Sequence, residues 1–408
     1  MIKRGFRYVG RLFRSSVNFA LEGTGYALLL NDIARSPLFN VFNTSNSRTV
    51  LLSYIRDVFV TEDVSSQQRH TNRYTTWIIA DVLRECGYNV DVINYNENIR
   101  GDLSRYDFVI GLGNSPELIL RQRIAGGGPK VIWFGTGCNP FFSNMATIRR
   151  VGDFYNLTGK VLMNSSRYIH EDWPLQHEFA DWIILHGATF AMSTYRKDRI
   201  TAVDGPVFIH HVVERSEDDL QHSKSSYLWF GNGGAIHKGL DLVIESFRKI
   251  PELKLHICGD LNLEPEFYNY YKQVFQEENN IFYHGFVNVN SKQFADILKL
   301  CCFVVYPSAS EGNSPSVITC MANGGLIPIV TENADVDLNN YGLLIQSLTV
   351  DAVTESIQHV QSWSISKIKE QQDRIIRETT SRHSFENFRG SFKNVLQDAL
   401  SNLEKHEL

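Results

Sequence analysis

The chain has 408 residues, of which 43% are hydrophobic and 21% charged, and a formal net charge of -5. That length allows two domains with sizeable cores, and the composition excludes global disorder. The mild acidity argues against nucleic acid as a principal partner, and no apolar run approaches the ~20 residues needed to cross a bilayer. Six cysteines (Cys86, Cys138, Cys258, Cys301, Cys302 and Cys320) form no CxxC pair, and no signal peptide precedes them. They read as reduced core thiols of a cytoplasmic protein.

At the N-terminus, Lys3, Arg4, Arg7, Arg11 and Arg14 share one face of a helix, and Ile2, Phe6, Val9, Phe13 and Val17 the other. Residues 2–17 therefore fit a helix lying on an anionic membrane, each basic residue contributing ~1 kcal/mol. A basic helix packed on the protein's own surface, or a frayed tail weakened by Gly5 and Gly10, fits the same pattern. Residues 20–47 read as a connecting lead-in, so residues 1–47 form an N-terminal segment.

Regular alternation starts at Val50 to Ile55. A helix carrying Tyr74, Trp77, Ile78 and Val82 follows a long polar loop and stops at Gly87. Strands are expected at Val90 to Ile93, Phe108 to Leu112, Val131 to Phe134 and Trp182 to Leu185. The charged stretch Glu214 to Ser225 reads as a linker, with Glu217, Asp218 and Asp219 solvated. His210 and His211 lack metal-ligand spacing. His186, at a strand end, fits a satisfied core histidine better than a cleft residue.

The alternation then restarts. Tyr227 to Phe230, Leu253 to Cys258, Ile281 to Tyr283, Phe303 to Tyr306 and Leu326 to Val330 read as strands. Leu240, Val243, Ile244 and Phe247 line one helix. Phe385, Phe388, Phe392, Val395, Leu396 and Ala399 mark a long final one. Two doubly wound parallel-sheet domains are expected, at 48–215 and 216–380, with a cleft between the carboxyl ends of their strands.

Two loops should face that cleft. Gly231-Asn232-Gly233-Gly234-Ala235-Ile236-His237-Lys238-Gly239 lets backbone approach a diphosphate, and Lys238 adds a cation where leaving-group charge builds up. This loop is neither a P-loop nor a GxGxxG fingerprint. The second, Pro307 to Gly325, joins a buried strand to a helix starting at Ser314. Its carboxylate, Glu311, suits sugar hydroxyls, while free N–H groups suit anionic oxygens. Alone, Glu311 also fits a simple helix-dipole partner.

Taken in order with Cys258-Gly259-Asp260, Gly285-Phe286-Val287, Pro307-Ser308, Glu311-Gly312 and Met321-Ala322-Asn323-Gly324, these loops resemble the retaining glycosyltransferases of family 4. The resemblance is strong over residues 226 to 332 and looser over the first domain. It implies the GT-B fold of two facing Rossmann-like domains, with the amphipathic helix of residues 381–408 crossing back to the first. It implies a metal-independent transfer of a glycosyl group from a nucleotide-diphosphate sugar, with retention and no cofactor. Lys238 would hold the diphosphate beside Gly231, Asn232, Gly233 and Gly234. Glu311 would hold the sugar, with N–H groups around Gly312, Asn313 and Ser314, and Gly285, Phe286 and Val287 would touch the base.

Two departures stand out. The family usually has a second glutamate eight positions after the first, often on the ribose, where this chain has Thr319. Its Gly-rich loop usually carries an arginine that this loop lacks. On the acceptor side, Thr136 and Asn139 occupy the loop where a histidine is common, and His70 lies in another cleft loop. The acceptor expected is a glycan, lipid-linked glycan or other glycoconjugate, reached from the inner face of a membrane. A GT-B nucleotide-sugar epimerase, a non-catalytic nucleotide-sugar-binding subunit, or a membrane-tethered scaffold would share these features.

Overall fold

Continuous apolar runs make strands buried on both faces, and amphipathic stretches between them supply the covering helices. The computed structural model describes residues 36–60, 71–100, 102–124, 127–169, 173, 175–196 and 198–405. The basic segment 2–17 and His70 lie outside these residues.

The first sheet contains β1 (Arg48–Tyr54), β2 (Tyr88–Asn94), β3 (Phe108–Gly111), β4 (Lys130–Gly135), β5 (Trp182–His186) and β6 (Ile200–Val203), in the order β2-β1-β3-β4-β5-β6. The second contains β7 (Ser226–Phe230), β8 (Lys254–Cys258), β9 (Ile281–Tyr283), β10 (Phe303–Tyr306), β11 (Ile327–Thr331) and β12 (Leu343–Ile345), in the order β12-β11-β10-β7-β8-β9. Every strand pair in both sheets is parallel, as in Val50↔Val90 and Val305↔Ile329. The expected pair of doubly wound sheets is present.

Two strands escape the sequence reading, β6 and β12. Both are sheet edges. Only Val203 of β6 and Ile345 of β12 are buried, so neither carries the continuous apolar run of an interior strand. The stretch expected as a linker is also corrected: it forms the helix Glu217–Ser223. Ser216 Oγ accepts from Asp219 N, and the Asp219 carboxylate accepts from Ser216 N, a reciprocal cap that starts the helix.

Strand order locates the clefts. In the first sheet the winding reverses between β1 and β3, and in the second between β7 and β10. The loops that leave those strands diverge and open a crevice. The Gly-rich loop follows β7 and the Glu311 loop follows β10. The sequence's two candidate loops thus border the switch point of the second sheet.

Two helices bind the halves together. Helix Pro140–Thr158 turns Ser143, Thr147, Arg150 and Phe154, spaced one face apart, toward the second half. Phe154 joins the second sheet's core and meets Tyr270 edge-on. The final helix, Phe385–Lys405, buries Phe388, Phe392, Leu396 and Ala399 in the first sheet's core. Its Arg389 pairs with Asp81 and Glu85 at 2.7 Å.

Candidate active site

Gly233 and Gly234 adopt φ of +68° and +79°, which turns the chain after β7 so that Lys238 lies at the crevice. Lys238 is buried. Its Nζ donates to Asn232 O at 2.7 Å and lies 3.9 Å from Glu311 Oε1. The loop's amides are partly committed already: Ala235 N donates to the buried Glu264 carboxylate at 2.8 Å. Asn232 Oδ1 accepts from Asp260 N, Gly231 N donates to Cys258 O, and Gly259 N donates to Gly285 O. These bonds join the ends of β7, β8 and β9 into one rim. On that rim Val287 is buried and Phe286 is 66% exposed.

The Glu311 loop is clamped from both sides. Ala309 N donates to His237 O, and Glu311 N donates to Asn333 O, each at 2.9 Å. The Glu311 carboxylate is buried. Oε2 accepts from Arg167 Nη1 at 2.9 Å, and Oε1 lies 3.4 Å from both Tyr306 Oη and Ser308 Oγ. Burial alone would raise its pKa, but the charges of Arg167 and Lys238 outweigh it and hold the carboxyl at about 2. Lys238 moves the other way. Burial pushes it down to about 8, with Glu311 opposing and Arg167 assisting. His237, also buried, is pushed down to about 4 and is neutral at pH 7. Its contacts fit the tautomer in which Nε2–H donates to Ser310 O at 2.9 Å and Thr147 Oγ1 donates to Nδ1 at 2.7 Å.

The other residues singled out from the sequence spread over three settings. Gly312 lines the cleft, but Asn313 and Ser314 are buried between the halves. Asn313 N donates to Asp335, Asn313 Oδ1 accepts from Gly205 N, and Ser314 Oγ donates to Ala334 O. Thr319 turns its hydroxyl back along its own helix to Pro315 O at 2.6 Å. Thr136 is exposed and lines the cleft. Asn139 instead caps helix Pro140–Thr158, with Oδ1 accepting from Phe141 N and Nδ2 against His177 Nε2 at 2.9 Å. His186 is a buried core histidine.

Between the halves lies a pocket of about 550 Å³. Its second-sheet wall is His237, Ser310, Glu311 and Gly312. Its first-sheet wall includes Thr136, Gly137, Ser143 and Arg167, with Tyr54, Tyr95, Trp133 and Trp173 making it strongly aromatic. Tyr54, Ile55 and Leu112 come from the ends of β1 and β3, so the first sheet's switch point also opens here. Tyr54 Oη and Trp133 Nε1 are buried without a partner among the described residues. Sequence reasoning missed Arg167 and these aromatics. The nearest sequence signal is the Ser143, Thr147, Arg150 spacing, a polar helix face upstream that does not single out Arg167. Among the described residues no cluster of His, Cys, Asp and Glu could hold a metal, and no helix is long and apolar enough to cross a membrane.

Residues 224–362 match the family model of glycosyl transferases group 1. No sequence among the curated proteins matches the chain. Among solved structures, the chain resembles sucrose-phosphate synthase from Thermosynechococcus elongatus (11% identity, TM-score 0.57, covering 87% of this chain and 100% of that one). It resembles α,α-trehalose 6-phosphate synthase from Burkholderia multivorans (10%, 0.55, 88% and 100%). It also resembles Anabaena HepE in complex with UDP and glucose (12%, 0.52, 86% and 99%). The chain therefore has the two-domain α/β GT-B fold, and its second half carries the glycosyl transferases group 1 pattern.

Proposed function

We propose that the protein is a glycosyltransferase that moves a sugar from a nucleoside-diphosphate sugar to an acceptor hydroxyl, with retention and without a metal. The observation that carries this is the Lys238–Glu311 pair, 3.9 Å apart at the second sheet's switch point, with Glu311 lining a pocket walled by both halves. The acceptor oxygen bonds to the anomeric carbon, and the bond from that carbon to the diphosphate oxygen breaks. Its electron pair leaves with the diphosphate, and the acceptor proton passes to that phosphate oxygen. Lys238 stabilises the charge that develops there, and Glu311 orients the sugar through its hydroxyls.

The remaining roles follow from position. Exposed Phe286, between Gly285 and Val287, offers a face for the base. Thr319 stands nearest in sequence to a ribose contact. Gly312 brings backbone to the sugar, with Asn313 and Ser314 anchoring the loop behind it. Thr136 faces the acceptor pocket, and Asn139 shapes its loop. The aromatic wall suits a carbohydrate acceptor, free or lipid-linked. In this reading the domains span 48–215 and 216–380, the helix of 381–408 ties them together, and residues 2–17 rest on the inner face of a membrane.

A thermal-shift screen of nucleotide sugars, followed by hydrolysis and transfer assays with and without EDTA, tests the proposal. UDP-sugars come first, because HepE holds UDP. A donor at 100 times its dissociation constant should add ~2.7 kcal/mol. Nuclear magnetic resonance of the product reads the anomeric configuration, and a free isomerised nucleotide sugar would favour an epimerase instead. The engagement of Ala235 N by Glu264 supports a second, non-catalytic reading. Donor binding without turnover would select it.

A further inference from the structure

The Gly-rich loop has no cation between Gly231 and Gly234, and one of its amides is already held by Glu264. A cation nevertheless lies against it. Arg167, from the segment after helix Pro140–Thr158, packs its stem on Gly234: a Cβ at position 234 would sit 3.2 Å from Arg167 Cβ and 3.8 Å from its Cδ. Its guanidinium then reaches Glu311 Oε2 at 2.9 Å, while Lys238 approaches the other carboxylate oxygen. Arg167 thus fills the gap between the two loops that border the second sheet's switch point. Its backbone carbonyl lies 3.0 Å from Thr147 Oγ1.

The two cations differ in freedom. The Lys238 side chain is 9% exposed, whereas that of Arg167 is 49% exposed. A guanidinium has five N–H donors in a planar fork that matches phosphate oxygens. We propose that Arg167 completes the donor site from across the cleft: it pairs with Glu311 when no donor is present and grips the diphosphate, with Lys238, when one is. This rests on the glycosyltransferase reading and adds a condition to it. Because Arg167 belongs to the first half and Lys238 to the second, the departing diphosphate meets both cations only when the halves are closed. An open enzyme then holds its donor without breaking it.

The test uses Arg167→Gln and Arg167→Lys in the full chain, with UDP and UDP-glucose as probes, or the corresponding pair for whichever nucleotide the wild type binds. Arg167→Gln should lower kcat by roughly 10²–10³, as loss of one charge-stabilising donor does, with a smaller change in KM. UDP, which carries the charge released by bond cleavage, should lose about tenfold more affinity than UDP-glucose, a contrast that a structural role would not produce. Arg167→Lys should restore part of kcat and keep the unfolding midpoint near the wild type, whereas Arg167→Gln, which takes the nearest cation from Glu311, should lower it. A Gln variant with wild-type kcat, or equal losses for UDP and UDP-glucose, overturns this role while leaving the glycosyltransferase reading intact. A wild type that binds no nucleotide sugar overturns both.

Discussion

Of the arginine–carboxylate pairs that cross between the halves, two beside the cleft are built for opposite ends. Arg150 and Asp241 are each 1% exposed and meet through two bonds, at 2.6 and 2.8 Å. Arg167 and Glu311 meet through one bond at 2.9 Å, with the arginine half in solvent. The first pair has no room to change partner and holds the halves together. The second has room, and it borders the pocket. Burial separates a structural tie from a chemical one between two arginines of the same half, Arg150 and Arg167.

Breaking the buried tie should give the largest effect. Arg150→Met strands Asp241 without its partner and should lose about 3–5 kcal/mol in urea unfolding, whereas Arg150→Met with Asp241→Leu should recover most of it. Next comes the chemical side. Lys238→Ala should lower kcat by roughly 10²–10³, or about 2.7–4 kcal/mol of transition-state stabilisation, with far less change in unfolding. An equal loss in the Arg150 and Lys238 variants on both scales would erase the distinction.

The pH response sharpens it further. As pH rises through about 8, Lys238 loses its proton and kcat/KM should fall, by up to about tenfold per unit, and Lys238→Arg should remove that limb. Stability moves the other way, because the unfolded chain keeps this proton up to 10.5 and so binds more protons between the two values. Glu311 contributes stability above its unfolded value of 4.5, and this is lost as pH falls toward about 2. Urea titrations across both windows check the signs. The smallest effect should come from Tyr54→Phe, which removes a buried hydroxyl that has no partner among the described residues. Unfolding free energy should hold or rise, within about 1 kcal/mol, while the acceptor KM increases.

What the sequence disclosed follows the range of each interaction. Interior strands such as β7 and β10 were legible because burial on both faces writes an unbroken apolar run. Edge strands β6 and β12 were not, since burial there reaches one residue of each. Lys238 and Glu311 were legible because each sits in a loop whose neighbours announce a strand end and a helix start. Arg167 lies 144 positions from the carboxylate it touches, in a polar loop with no period, and nothing local marks it. Asn139 was read as an acceptor-side residue, yet its amide is spent on the helix cap and His177, a use that only the folded chain discloses. The helix at Glu217–Ser223 was masked by its own charge, although the Ser216–Asp219 cap was present in the letters.

Where the two halves meet beside the pocket, Gly137 and Gly312 pass with no side chain between them. A methyl carbon on Gly312 would lie 2.4 Å from Gly137 Cα and 2.8 Å from His186 O. Neither of these is the movable end of a flexible side chain. An alanine at 312 is therefore a wedge, the smallest that amino-acid chemistry allows, and it would prop the jaws ajar by about the width of one carbon. The pair of glycines lets the two halves touch backbone to backbone, and it offers an engineer a way to push them apart with a single added carbon.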